Sequence, residues 1–436
     1  MQTSVCLLRD WQGKLKFALL KEYHKMQNIF LLQNVIQDYA WGSAAAIPDL
    51  MGKKNTSGTP QAELWMGAHP KASSMVKIGS QLVSLADLIK KHPQEIIGKS
   101  TAAQFNNQLP YLLKVLAAAE PLSIQAHPNL EQARQGFEKE NRLGIPLDDP
   151  QRNYRDNNHK PECLCALGPF WALNGFRKID NMLSLMSKLN LTRLTKEIDH
   201  IKANPNSSGL KAFFQALMTM SAKQKLAVLA QATAQAAKLS DTDPAFQWIL
   251  KLNQAYPQDI GALAPLFLNL VCLKPGEAIF LKSGELHSYL EGIGIELMAN
   301  SDNVLRGGLT AKHIDVAELL GSLNFEEKEL RVSIAEKINA FESVYPTLAE
   351  EFRLSKMKVK HSMGAVSVES PGVEIMLCTE GAAVITDSGN NYTLTINKGA
   401  SVIVSASATQ YRLAGRATLY KASVPYESGT KEPSQL

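Results

Sequence analysis

Residues 266–290 read LFLNLVCLKPGEAIFLKSGELHSYL, and this stretch decides the fold class. An apolar run from Leu266 to Leu273 meets Pro275-Gly276-Glu277, a second run follows at Ala278-Ile279-Phe280-Leu281, and Gly284-Glu285 precedes Leu286-His287-Ser288-Tyr289-Leu290. Each run is short and bounded by Pro-Gly or Gly, so the spacing predicts strands joined by tight turns, as in a β-sandwich or barrel. The same texture returns from about Tyr345 to Val424, where Phe352-Leu354, Val366-Val368, Glu374-Leu377, Ala383-Ile385, Tyr392-Ile396, Ser401-Val404 and Ala417-Tyr420 are separated by Gly and Asn. That segment is expected to form a second β-domain.

Working outward, Asn28 to Ile36 reads as a strand followed by the aromatic turn Tyr39-Ala40-Trp41-Gly42-Ser43. Leu109 to Leu116 and Leu122 to His127 read as two strands joined at Glu120-Pro121, while Leu82–Ile97 and Glu131–Lys139 carry helical spacing. From about Asp180 to Asp259 β-rich runs are scarce, and Leu183, Met186, Leu189, Phe213, Phe214, Leu217, Leu226 and Leu229 recur at three and four residue steps. A helix is also expected over Thr310–Leu320. The expected fold is therefore mainly β with a helical insertion. A first β-domain takes residues 26–179 and 266–340, an α-helical domain takes 180–265, and a C-terminal β-domain takes 341–428. Residues 1–25 are expected to be an N-terminal extension outside the fold, and 429–436 a tail.

The chain has 436 residues, 45% hydrophobic, 20% charged and 7% aromatic, with a net charge of +5. This length supports more than one core. No apolar run approaches the roughly 18 residues of a membrane span, and basic residues are dispersed rather than striped, so neither a membrane nor a nucleic acid is an expected partner. Five cysteines, Cys6, Cys163, Cys165, Cys272 and Cys378, make no disulfide framework and point to a reducing, cytoplasmic setting. Cys163 and Cys165 could form a thiol corner for a metal, but their apolar neighbours favour buried strand thiols.

The candidate chemistry sits in four places. Gln125 and His127 in Ser123-Ile124-Gln125-Ala126-His127-Pro128 are two apart, so a strand would present both on one face toward a single ion. Glu162, after Asn157-Asn158-His159-Lys160-Pro161, opens an apolar strand where an unpaired charge is costly, and it needs a metal or a pair with Lys160. His287 stands on the strand after Gly284, in the manner of cupin-type barrels that turn a metal ligand inward. Two His, one Glu and one Gln form a nitrogen and oxygen donor set suited to Zn²⁺ and, less selectively, to Mn²⁺, Fe²⁺ or Co²⁺. Finally, Glu296 through Gly308 gathers Glu296, Asp302 and Arg306 in a Gly-ended loop, fit either for an anionic group or for an Asp302 to Arg306 pair.

Taken together these residues resemble the type I mannose-6-phosphate isomerases, also called phosphomannose isomerases. The resemblance rests on Tyr39-Ala40-Trp41-Gly42-Ser43, Ala62-Glu63-Leu64-Trp65-Met66-Gly67, Leu112-Leu113-Lys114-Val115-Leu116, the Ser123 and Asn157 segments, and Ser301-Asp302-Asn303-Val304-Leu305-Arg306-Gly307-Gly308, in that order. It implies cupin-like (jelly-roll) β-domains, the first of them catalytic, and one zinc per chain bound by Gln125, His127, Glu162 and His287. It further implies that Arg306 is an active-site residue and that Trp41, Lys114, Ser123, Lys160, Glu296 and Asp302 line the pocket. The implied activity is interconversion of mannose 6-phosphate and fructose 6-phosphate through an enediol, serving mannose metabolism and GDP-mannose synthesis. The expected protein is a monomer whose partner is a small sugar phosphate. Arg306 would stabilise charge or hold phosphate, and Lys114 or Lys160 would anchor phosphate. The base stays open among Glu296, Lys160 and Asp302. Leu286 and Ser288 flank His287 where the family commonly has Pro and Ala. The rival functions are a cupin metal oxygenase and a non-catalytic sugar-phosphate-binding cupin protein.

Overall fold

The computed structural model describes residues 27–426, so the expected extension and tail lie outside the described residues. In chain order the strands are β1 Ile29–Gln33, β2 Val35–Gln37, β3 Glu63–Met66, β4 Met75–Ile78, β5 Gln81–Ser84, β6 Tyr111–Ala118, β7 Ile124–Ala126, β8 Glu162–Ala166, β9 Phe170–Phe176, β10 Leu268–Leu273, β11 Glu277–Leu281, β12 His287–Ala299 and β13 Leu305–Gly308. There follow β14 Ser333–Ile334, β15 Glu336–Lys337, β16 Glu342–Val344, β17 Arg353–Val359, β18 Val366–Glu369, β19 Glu374–Asp387, β20 Thr393–Asn397, β21 Ser401–Val404 and β22 Gln410–Ser423. They form two sheets. One runs β14-β11-β8-β12-β6-β3-β2, with β7, β9, β10 and β13 continuing beside the first half of β12. The other runs β15-β16-β17-β22-β19-β21-β1-β4-β5, with β18 and β20 at its sides. The fold is mainly β with a helical insertion, as the sequence predicts.

Between β9 and β10 the chain forms helices at Ile179–Lys188, Thr195–Ala203, Ser207–Thr219, Ala222–Leu239, Pro244–Ala255 and Ala264–Phe267. Local chemistry sets their starts: Asn206 accepts from the Ser208 and Gly209 amides, Ser221 and Gln224 form a reciprocal capping box, and Asp243 caps a helix with Pro244 in its first turn. Their apolar faces, including Met182, Phe213, Phe214, Leu217, Trp248 and Leu252, share one core with Leu173, Leu286 and Leu305 of the first sheet. A second core seals the two sheets together, with Leu113, Cys163, Cys165 and Leu297 on one side and Tyr345, Phe352, Ile375 and Tyr420 on the other. Cys163 and Cys165 are thus buried core thiols.

The structure differs from the sequence expectation in several places. Segment 26–179 does not stay within one sheet, because β1 pairs with β21 (Ile29↔Val404) and with β4 (Leu32↔Val76). β1 is apolar toward two cores at once, with Ile29 in the C-terminal barrel and Phe30 and Leu32 in the core between the sheets, and strand pattern alone does not select a sheet. Leu82–Ile97 begins as β5 and then splits into helices Leu85–Lys91 and Pro93–Ile97, because Pro93 restarts the backbone. The helix expected from Thr310 begins at Val316, where Asp315 caps the Glu318 amide, leaving 310–314 as a loop.

The bend in β12 places the site. His287 and Tyr289 face the barrel interior, and so do Gly294, Glu296 and Met298, although their parity differs. A bulge between Tyr289 and Glu291 resets the alternation. Gly292 follows it with φ 139°, and a Cβ there would lie 2.6 Å from the Pro169 carbonyl oxygen. Gly292→Ala is expected to lower stability by roughly 2 kcal/mol or more, combining backbone strain with overpacking. Urea unfolding checks this; a change within about 0.5 kcal/mol, the range of an ordinary surface substitution, would contradict it.

Candidate metal centre and anion pocket

The first residue of β8 is Glu162, 1% exposed, at the mouth of an otherwise apolar strand. Its Oε1 lies 3.1 Å from His127 Nε2 and 2.9 Å from Lys160 Nζ, and its Oε2 lies 3.6 Å from His287 Nε2. The Tyr289 hydroxyl donates to Oε2 at 3.3 Å. Gln125 stands directly across the ladder from His287, with its amide nitrogen 3.5 Å from His287 Nε2. Ligand atoms of His127, Glu162 and His287 all fall within 4.8 Å of one another.

Backbone carbonyls orient both imidazoles. His127 Nδ1 donates to the Asn303 carbonyl at 2.7 Å and His287 Nδ1 donates to the Glu285 carbonyl at 2.9 Å. A carbonyl only accepts, so each ring carries its proton on Nδ1 and turns a lone pair on Nε2 toward Glu162. Burial holds both rings below the usual histidine range, His287 at about 4, so they stay neutral at pH 7. Burial pushes the Glu162 carboxyl up, but Lys160, His127 and His287 outweigh it and hold the group well below the usual carboxylate range. Two neutral nitrogen lone pairs and a carboxylate therefore converge, and His127 Nε2 is buried without a hydrogen-bond donor. Lone pairs facing a carboxylate repel unless a cation lies between them. The donor set fits a divalent cation, zinc foremost.

Beside this centre, one face of the sheet carries a second charged group. Lys114 on β6, Trp65 on β3 and Glu296 on β12 lie in register. Lys114 Nζ is 3.0 Å from Glu296 and 3.7 Å from Glu63, and it lies 5.3 Å from the Trp65 ring centroid. Trp65 Nε1 donates to Glu63 at 2.6 Å. Burial works against the Lys114 ammonium, but Glu296 and Glu63 prevail and keep it charged. Burial raises the Glu296 carboxyl, with Lys114 pulling the other way.

A third group is cationic. Arg306 on β13 stands across from Gln125, and burial together with Arg155 lowers its pKa. Burial, Arg306 and Arg155 likewise lower that of Lys312 in the 310–314 loop. Arg155 donates from Nη1 to the Leu147 carbonyl at 3.3 Å and from Nη2 to the Asp149 carbonyl at 3.5 Å, which uses two of the five N–H donors of its guanidinium. Among the described residues no carboxylate lies within ion-pair distance of Arg155, Arg306 or Lys312. Mutually repelling cations without counter-charge suit an incoming anion.

The predicted site residues divide accordingly. Gln125, His127, Glu162, His287 and Lys160 meet at one point, while Lys114 and Glu296 form the adjacent pair. Arg306 does not bond to Asp302, which instead pairs with Lys71 at 2.9 Å and lies 3.8 Å from His69. Burial raises the Asp302 carboxyl, but Lys71 and His69 bring it below the usual range. Trp41 packs on the apolar cluster that contains Tyr289, and Ser123 is half-buried beside Leu122, whose amide donates to the Tyr289 carbonyl. Sequence reasoning missed Glu63, Tyr289, Arg155 and Lys312. Only Tyr289 carried a local signal, two residues from His287 on the same strand face.

Burial lowers the pKa of His69, 4% exposed, to about 4. Its unfolded value is higher, so the unfolded chain takes up the proton first, and stability falls as pH drops from about 6.5 toward 4. The loss traceable to His69 is on the order of 3 kcal/mol at most. Thermal or urea unfolding of metal-free protein across that window is expected to show a shallower loss in His69→Gln; an identical slope would contradict it.

Family comparisons agree with this geometry. Residues 29–179 match the description "Phosphomannose isomerase type I, catalytic domain", 185–268 its helical insertion domain, and 342–424 "Mannose-6-phosphate isomerase, cupin domain". The mannose-6-phosphate isomerase of Escherichia coli (strain K12) is 39% identical over 390 residues, covering 89% of this chain and 97% of that protein. The Homo sapiens enzyme is 32% identical over 409 residues, covering 87% and 94%. A crystal structure of a phosphomannose isomerase mutant from Salmonella typhimurium superposes with TM-score 0.87 at 38% identity, covering 92% of this chain and 100% of that one. A zinc-bound mannose 6-phosphate isomerase superposes with TM-score 0.86 at 38% identity over the same shares. A conserved three-part architecture and identity at this level over most of the chain place the protein in the type I phosphomannose isomerase family.

Proposed function

We propose that this protein interconverts mannose 6-phosphate and fructose 6-phosphate as a zinc-dependent aldose-ketose isomerase. The observation that carries the proposal is the convergence of His127 Nε2, His287 Nε2 and Glu162 in a buried cluster, flanked by a carboxyl and ammonium pair and by unpaired cations. Gln125, His127, Glu162 and His287 would hold the zinc, which when bound supplies Lewis-acid polarisation of a sugar oxygen.

The remaining steps belong to the chain. The substrate phosphate is a dianion near pH 7, and Arg306, Arg155 and Lys312 are the cations free to receive it. Lys114 and Lys160 are already committed to carboxylates, which reassigns phosphate anchoring away from them. Isomerisation moves a proton between C2 and C1 of the sugar through an enediolate. Glu296 is the best-suited base, because burial raises its carboxyl toward neutral pH while Asp302 is shifted the other way. Lys114, held charged beside Glu296, balances the negative charge that develops as the proton moves, and Lys160 does the same beside Glu162.

No helix among the described residues is long and apolar enough to cross a membrane. The free thiols of Cys163, Cys165, Cys272 and Cys378 support a reducing, cytoplasmic setting.

A coupled assay of mannose 6-phosphate conversion is expected to show activity that a chelator removes and zinc restores. Glu296→Gln is expected to lower kcat roughly a hundredfold or more while zinc content is kept. Lys312→Ala is expected to raise KM about tenfold, near 1.4 kcal/mol, with a smaller change in kcat. A folded, zinc-loaded protein without turnover would overturn the proposal, and a Glu296→Gln enzyme within threefold of the parent would remove Glu296 as base.

A further inference from the structure

The Asn303 side chain, 0% exposed, uses its whole hydrogen-bonding capacity on one loop. Its Oδ1 accepts from the Arg155 amide at 2.7 Å and the Asp156 amide at 3.2 Å. Its Nδ2 donates to the Asp156 carbonyl at 2.8 Å, the Asn158 carbonyl at 2.9 Å and Asp156 Oδ1 at 3.2 Å. The same residue's backbone carbonyl receives the proton of His127 Nδ1. Asn303 thus touches three functional elements: the imidazole of His127, the backbone that carries Arg155, and the approach through Asn158 to Lys160 and Glu162.

We infer that Asn303 is the positioning residue that holds the anion-binding Arg155 in register with His127. The inference rests on the proposed function, in which Arg155 helps to receive the substrate phosphate. The physical basis is a joint with no slack. Asp156 takes part in three of the five bonds, and its carboxylate also accepts from the Ser301 hydroxyl at 2.8 Å and from the Asp302 amide at 2.6 Å. A shift of the 155–158 loop would break several buried bonds together, and with Asn303 displaced its carbonyl would no longer fix the His127 ring. Such supporting contacts tune ligand orientation and metal retention without touching substrate. Asn303 contributes no charge to the pocket, so its effects reach substrate and metal only through geometry.

The test uses zinc-loaded full-length protein and the variants Asn303→Ala, Asn303→Ser, Arg155→Ala and the double Arg155→Ala/Asn303→Ala. Four quantities are read: KM and kcat for mannose 6-phosphate, affinity for inorganic phosphate, and the rate of zinc release to a chelator. Asn303→Ala is expected to raise KM and weaken phosphate binding about tenfold, and to speed zinc release about tenfold. Once Arg155 is gone, removal of Asn303 is expected to change KM by less than twofold, because both act through the same guanidinium. Asn303→Ser keeps a short hydroxyl donor and acceptor and adds no charge, so it is expected to shift KM, phosphate affinity and zinc release in the same directions by less; if the alanine variant does not fold, this variant carries the test. Multiplicative effects of the two substitutions on KM, or unchanged zinc release in a folded Asn303 variant, would overturn the inference. If Arg155→Ala leaves phosphate affinity unchanged, the phosphate assignment fails and with it the inferred link to Arg155, a result distinct from multiplicative effects, which fault Asn303 alone.

Discussion

Glu162 is the constraint on which the site depends. A carboxylate 1% exposed at the head of an apolar strand is costly unless its charge is met: Lys160 and Tyr289 donate to it directly, and His127 and His287 turn toward it the lone pairs that a cation between them would satisfy. Lys160 lies two residues before it, while His127, His287 and Tyr289 come from segments remote in sequence, and each is brought there by a strand of the first sheet or by the residues that follow or precede one. The two sheets, the core between them and the helical insertion serve this convergence by fixing strands whose interior faces are mostly apolar and whose few polar residues point to one place.

The arrangement also sorts the cations. Lys114 and Lys160 are bound to buried carboxylates, which under the proposed reaction would set them where charge develops during proton transfer. Arg155, Arg306 and Lys312 lie close enough to repel one another and have no acidic partner among the described residues. Neutralised and unneutralised positive charges side by side would, under the proposed function, orient a sugar phosphate: phosphate toward Arg306, Arg155 and Lys312, reacting carbons toward Glu296 and the metal ligands. Binding the phosphate end contributes attraction and register, and the reacting end contributes differential stabilisation of the enediolate.

Much of this was legible in the sequence, and the boundary of legibility has physical causes. The Gln125 and His127 pair was readable because a two-residue step puts both on one strand face, and Glu162 because a charge opening an apolar run demands a partner. The helical insertion declared itself by spacing and by the caps Asn206, Ser221 and Asp243. The relation between His287 and Glu296 was not readable, because the bulge before Gly292 inverts the parity that strand counting assumes. Nor was the membership of β1 in the C-terminal sheet, where pairing partners lie hundreds of residues away. Arg155 and Lys312 escaped notice because each looks like an ordinary surface cation until the fold sets it beside Arg306. The bland pairing of Asp302 with Arg306 failed for the same reason, since Lys71 arrives from a distant loop.

The most direct test of the central claim is zinc-edge anomalous diffraction from crystals of the holoprotein with fructose 6-phosphate bound. One zinc peak bounded by Gln125, His127, Glu162 and His287 is expected, with density for the phosphate against Arg306, Arg155 and Lys312. A zinc peak outside that set, or a phosphate seated on Lys114 or Lys160, would contradict it.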